Sequence, residues 1–114
     1  MPTFTRKNGK YFVSYVTGPS HVLLGLAFAS TAAAPTLHRE PRRGECDQGT
    51  LDEAKIREAV VAGAAEAGVQ LHPVEIIYVE NDSPRYDLYK YCAYLLAKRV
   101  AAGEPFTEAA SGAA

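Results

Sequence analysis

A chain of 114 residues, 47% apolar and 22% charged, has the length and composition of one ordinary globular domain. Two cysteines, Cys46 and Cys92, are too few for a disulfide framework, and their spacing matches no zinc signature. The net charge of −1 conceals a split: residues 1–43 sum to +5 and residues 44–114 to −6. Such halves neutralise each other within one fold, pair head to tail between copies, or leave a basic patch for phosphate or nucleic acid. The first of these is the expectation.

Residues 1–10 are polar and read as a frayed end. Residues 11–16, aromatic and β-branched, read as a strand. Gly18 and Pro19 punctuate, and residues 22–29 make a second strand, giving an antiparallel hairpin with a four-residue connection. Val22, Leu24, Leu26 and Phe28 form a bulky face, while Leu23, Gly25, Ala27 and Ala29 form a smaller one. One side therefore meets the core, and the other meets something close or stays open. The 22–29 run also resembles the apolar part of a secretion signal, with small residues after it. The strand and turn that precede it favour the hairpin, and with it a cytoplasmic protein with no membrane segment, since the run is too short to span a bilayer.

Residues 30–50 are either a mobile functional loop or contain a short edge strand at 36–40, bracketed by Pro35 and Pro41. Thr50 and Glu53 suit a capping box that opens a helix ending at Gly68. Ala59, Gly63 and Ala67 recur at intervals of four on that helix. They form a groove of small residues suited to close approach by a sheet or another helix. Residues 74–79 are apolar on both faces and read as a central strand. Ser83 as cap and Pro84 at the first helical position begin a last helix, closed by Gly103. Its apolar stripe holds Leu88, Tyr89, Cys92, Leu95, Leu96 and Val100, with Asp87, Lys90, Tyr94 and Lys98 facing away. Residues 1–102 thus make a single α+β domain: a small, mostly antiparallel sheet with two helices on one face, in the order β-β-(β)-α-β-α. Residues 103–114 read as a flexible tail.

This order resembles the ribosomal-protein-S5 domain-2-like fold, which includes the fourth domain of elongation factor G, with segments 11–29, 51–68, 74–80 and 84–101 supplying its strands and helices. The resemblance is one of topology and carries no motif residue. It implies that an RNA- or ribosome-contacting role belongs among the alternatives.

Four constellations could carry chemistry. His38, Cys46 and Asp47, joined by His72, supply a thiol, imidazole and carboxylate for a small thiol- and histidine-dependent enzyme with its site under the 30–50 loop. Glu75, charged within an apolar strand, is a candidate partner for Arg99 on the last helix. Tyr86 and Tyr94 are expected to be exposed and suited to an interface. Arg39, Arg42 and Arg43, with Lys7 and Lys10, form a candidate phosphate-binding set. No Gly-rich phosphate loop, paired-cysteine metal motif or nucleophile elbow is present, so no cofactor or metal is expected. The leading expectation is a small non-enzymatic module that binds a protein or self-associates. Nucleic acid, bound through the basic first part, is a further candidate partner.

Overall fold

The computed structural model describes residues 2–17, 20–31, 34–40, 51–79 and 85–108. The chain opens with β1 (Thr3–Lys7) and β2 (Lys10–Thr17). Asn8 and Gly9 join them with φ values of 53° and 75°. Two successive positive φ angles make the tight hairpin turn that matches strand twist, and Asn-Gly is the dipeptide that adopts it most readily. The first ten residues are therefore a strand and a turn rather than a frayed end. β3 (Ser20–Ala29) pairs antiparallel with β2 as far as Thr17 opposite Ser20. The hairpin connection is thus two residues, not four.

β4 (Thr36–Glu40) follows, then α1 (Glu53–Glu66), β5 (His72–Val79), α2 (Tyr86–Ala102) and β6 (Thr107–Glu108). The six strands form one sheet in the order β4-β5-β3-β2-β1-β6. β1-β2, β2-β3 and β3-β5 are antiparallel, whereas β4 runs parallel to β5 and β6 to β1. The residues between two prolines thus form an edge strand, and β5 lies inside the sheet. Parallel pairing of β4 with β5 requires a crossover, and α1 supplies it.

Both helices lie on one face, packed on each other and on the strands. Alternation along the strands selects what they cover. Val13, Val22, Leu24, Leu26, Ile76 and Tyr78 meet Ile56 and Val60 of α1 and Leu88, Tyr89, Cys92, Ala93 and Leu96 of α2 in one core. A second small cluster of Ala64, Ala67 and Ala97 extends it, with Phe28, Val69 and Tyr94 against it. The stripe of small residues on α1 is filled by α2. A Cβ on Gly63 would stand 2.1 Å from the Lys90 carbonyl oxygen and 3.1 Å from the Ala93 Cβ.

Asp52, rather than Thr50, caps α1; its Oδ1 accepts from the amides of Ala54 and Lys55 at 2.9 and 3.3 Å. Thr50, Ser83 and Pro84 lie outside the described residues. Arg85 precedes α2 and makes no side-chain cap. Gly103, at φ 70°, ends α2 in the left-handed conformation that glycine adopts without strain. Beyond it, residues read from sequence as the start of a flexible tail fold back. Arg99 donates from Nε and Nη2 to the Pro105 carbonyl at 3.0 and 2.7 Å and stacks over Phe4 at 4.2 Å, with Phe106 at 5.4 Å. Phe106 packs against the core, and β6 adds to β1.

Candidate functional site

With both helices on one side, the other side of the sheet carries Phe12 and a set of polar side chains in register across β1, β2 and β3. Lys7 faces Lys10, Thr5 faces Phe12, and Thr3 faces Ser14. Phe12 in turn faces Gly25, and Gly25 faces Ile77. A Cβ on Gly25 would lie 2.4, 2.6 and 3.0 Å from three consecutive atoms of the Phe12 ring. Those similar distances place the ring over the glycine rather than edge-on to it. The small face of β3 thus receives an aromatic ring from β2.

Glu75 occupies the next position along this face. Its Oε1 lies 3.0 Å from His38 Nε2 on β4 and 3.6 Å from Lys10 Nζ on β2. All three side chains keep substantial solvent contact, at 46% for His38, 35% for Glu75 and 32% for Lys10. A pair this exposed is screened by water and contributes at most about 1 kcal/mol. The Glu75–Arg99 pair is not formed, because Glu75 lies on the side away from the helices while Arg99 is engaged with Glu104 and Pro105. One position along a strand decides the face, and the sequence offered no register for β5.

Of His38, Cys46 and Asp47, only His38 lies among the described residues; Cys46 and Asp47 lie outside them, as do Arg42 and Arg43. His72 does not join His38. It begins β5, whereas His38 pairs beside Ile77, about 16 Å further along the strand. Arg39, in register with Tyr78, lies on the helix side, away from Lys7 and Lys10. The candidate phosphate-binding set is therefore divided between two faces. Among the described residues, no group of three His, Cys, Asp or Glu side chains could hold a metal ion.

The tyrosines of α2 serve the fold more than the surface. Tyr86 is half-buried, its hydroxyl accepts from the Asp52 amide at 3.0 Å, and Lys55 lies 5.6 Å over its ring. Tyr94 packs against the alanine cluster. Neither is the exposed interface residue expected from its spacing; the crossing of α1 brings covering atoms that helical periodicity does not reveal. Tyr89 is fully buried, while Tyr91 is 46% exposed against Tyr15, with ring centroids 5.8 Å apart. Cys92 is buried in the core, and burial pushes its thiol up to about 12. At the carboxyl end of β5, the Tyr78 hydroxyl donates to Glu53, so this strand end is tied to the start of α1.

Phe12 was not among the residues that sequence pattern singled out. Its signal was the glycine two strand positions from Ala27, where an open pleat invites a neighbouring ring. Comparison with protein-family models, curated proteins and solved structures gave no match. The fold and this face define a small α+β protein with a two-layer arrangement, and the topological resemblance to the translation-factor domain carries no residue onto it. No helix among the described residues is long and apolar enough to cross a membrane.

Proposed function

We propose that this protein is a non-enzymatic binding module that engages its partner through the helix-free face of the sheet. The observation that carries this reading is the fate of its other surface features. The small-residue groove of α1 is filled by α2, and Tyr86 and Tyr94 are partly buried against the packed helices. The two sheet edges are poor templates for strand addition. β6 has two residues, and β4 has five, preceded by Pro35 and carrying His38 and Arg39. Of the exposed large apolar side chains among the described residues, Val61 and Tyr91 lie one on each helix at 42% and 46%, whereas Val16, at 56%, shares the helix-free face with Phe12 and Leu23, bordered by Lys7, Lys10, His38 and Glu75.

Amide hydrogen exchange or NMR chemical-shift mapping on addition of a candidate ligand tests this reading, and light scattering across concentration tests a second copy as the ligand. Perturbations centred on β1–β3 and abolished by Val16→Asp support it; perturbations confined to the helix layer overturn it.

The enzymatic alternative makes a separate demand. Its nucleophile is Cys46, so that thiol must react with an alkylating probe faster than free cysteine. A rate equal to that of free cysteine removes the alternative.

A further inference from the structure

We propose that the helix-free face binds single-stranded nucleic acid, with the Phe12 ring as the platform for one base and Lys7 and Lys10 meeting the adjoining phosphates. This rests on the reading of that face as the partner surface and names the partner's chemistry.

The platform follows from the pairing of Phe12 with Gly25. With no Cβ at residue 25, the ring settles low over the β3 backbone. A ring lying on a sheet turns its other side outward, and Phe12 is only partly buried. A π-face presented this way stacks any base, whatever its sequence.

The surroundings of the ring fit a nucleotide. Lys10 lies two residues before Phe12 on the same side of β2, and Lys7 faces Lys10 across the β1–β2 pair. Ser14 lies two residues after Phe12, with Thr3 opposite it, and Thr5 faces Phe12 itself. The ring therefore has two cations at one end, Thr5 at its flank, and Ser14 with Thr3 at the other end. Those groups complement phosphate and sugar oxygens. A duplex buries its base faces, so only an unpaired strand offers one to the ring.

A protein partner fits this face less well. It would have to desolvate Lys7 together with the Lys10–Glu75–His38 cluster, and burying such an ion pair costs free energy even when its partners stay together. A polyanion meets both lysines and leaves Glu75 at the rim. Glu75 opposes the polyanion, since its carboxylate stands 3.6 Å from Lys10 Nζ. Glu75 is thus a brake on affinity, and its removal should tighten binding.

Fluorescence anisotropy of the full chain with a labelled twelve-nucleotide oligouridylate, read at several salt concentrations, tests the proposal. The expected result is binding that weakens with salt, with a slope of log K against log salt of about −1.4 for two phosphate contacts. Phe12→Leu, which still covers Gly25, should weaken binding about tenfold. Lys7→Gln with Lys10→Gln should flatten the salt dependence. Glu75→Gln should strengthen binding about twofold to fivefold, a gain that misfolding cannot imitate. The same oligonucleotide in duplex form should bind more weakly. Absence of binding at low salt overturns the proposal, as do equal affinity for duplex, indifference to Phe12→Leu in a protein whose melting is unchanged, and a loss with Glu75→Gln. Self-association abolished by Val16→Asp, with no oligonucleotide binding, overturns this inference while leaving the binding-module reading intact.

Discussion

At residue 63 a hydrogen atom in place of a methyl group sets how closely the two helices approach. The atom that a Cβ would meet is a backbone carbonyl oxygen, held within α2 and unable to swing aside. Gly63→Ala should therefore lower stability by about 1–2 kcal/mol in urea unfolding, despite the better helix propensity of alanine. The nearest atoms to a Cβ at residue 25 belong to the Phe12 ring, a side chain that can rotate outward, so Gly25→Ala should cost less than Gly63→Ala. Equal losses would show that the ring is as immovable as the backbone. The Arg85–Asp87 pair offers a residue-scale test with pH. Arg85 Nε and Nη2 donate to the two Asp87 carboxylate oxygens at 3.0 and 2.8 Å. That hydrogen bonding holds the Asp87 carboxyl below its ordinary range and pushes the Arg85 guanidinium up. A depressed carboxyl stabilises the fold above its unfolded value, about 3.9, and that contribution fades as pH falls through the folded value. The stability difference between wild type and Asp87→Asn should thus be constant above about pH 5 and shrink below about pH 4. Both groups are open to solvent, so the difference is small.

At the scale of the element, the start of α1 and the end of α2 each draw on groups from elsewhere in the chain. Asp52 caps α1 with its own carboxylate, and the Tyr86 hydroxyl from α2 accepts the Asp52 amide. Asp52→Ala should cost about 1 kcal/mol in thermal or urea unfolding, and Asp52→Asn much less, because an amide oxygen also accepts at this position. If both variants lose the same amount, the carboxylate charge rather than the cap geometry carries the effect. The end of α2 is closed by a clip, with Arg99 holding the Pro105 carbonyl and stacked on Phe4. Phe106→Ala removes a ring that packs against both Phe4 and Tyr11, at centroid distances of 6.1 and 4.9 Å. A loss of about 1–3 kcal/mol is expected, with faster hydrogen exchange in β1. An unchanged β1 would mean that β6 and the clip rest on the sheet without supporting it.

At the scale of the whole molecule, the two cysteines report on the intact fold together. Cys92 lies in the core with its thiol raised to about 12, so it is both inaccessible and protonated at neutral pH. Native-state alkylation should leave Cys92 unmodified, and denaturation should expose it. Labelling of Cys92 in the native state at a rate near that of free cysteine would show that the α2 layer opens readily. The silence of Cys92 also makes the native reaction a direct reading of Cys46.

Much of the architecture was legible in the sequence, because it depends on local periodicity. The bulky alternation of Val22, Leu24 and Leu26, the two-sided apolar run of β5 and the small-residue spacing of α1 each follow from the geometry of one element. The Asn8-Gly9 turn was equally local, and its dipeptide carries the signal for β1 that the polar composition of the first ten residues masks. What the small-residue stripe was for could not be read this way. It suits any close neighbour, and only the folded chain shows that the neighbour is α2.

The sequence by itself determined the α+β class, with a mostly antiparallel sheet and the helices α1 and α2, since the periodicity of each of those segments is local. The tertiary structure decided the partners: Glu75 with His38 and Lys10 rather than Arg99, Tyr86 with the cap of α1 rather than with solvent, and Phe12 over Gly25. The physical reason is that face and register belong to pairs of strands. A shift of one residue exchanges the two sides of a strand, and no single segment records which side its neighbours will cover.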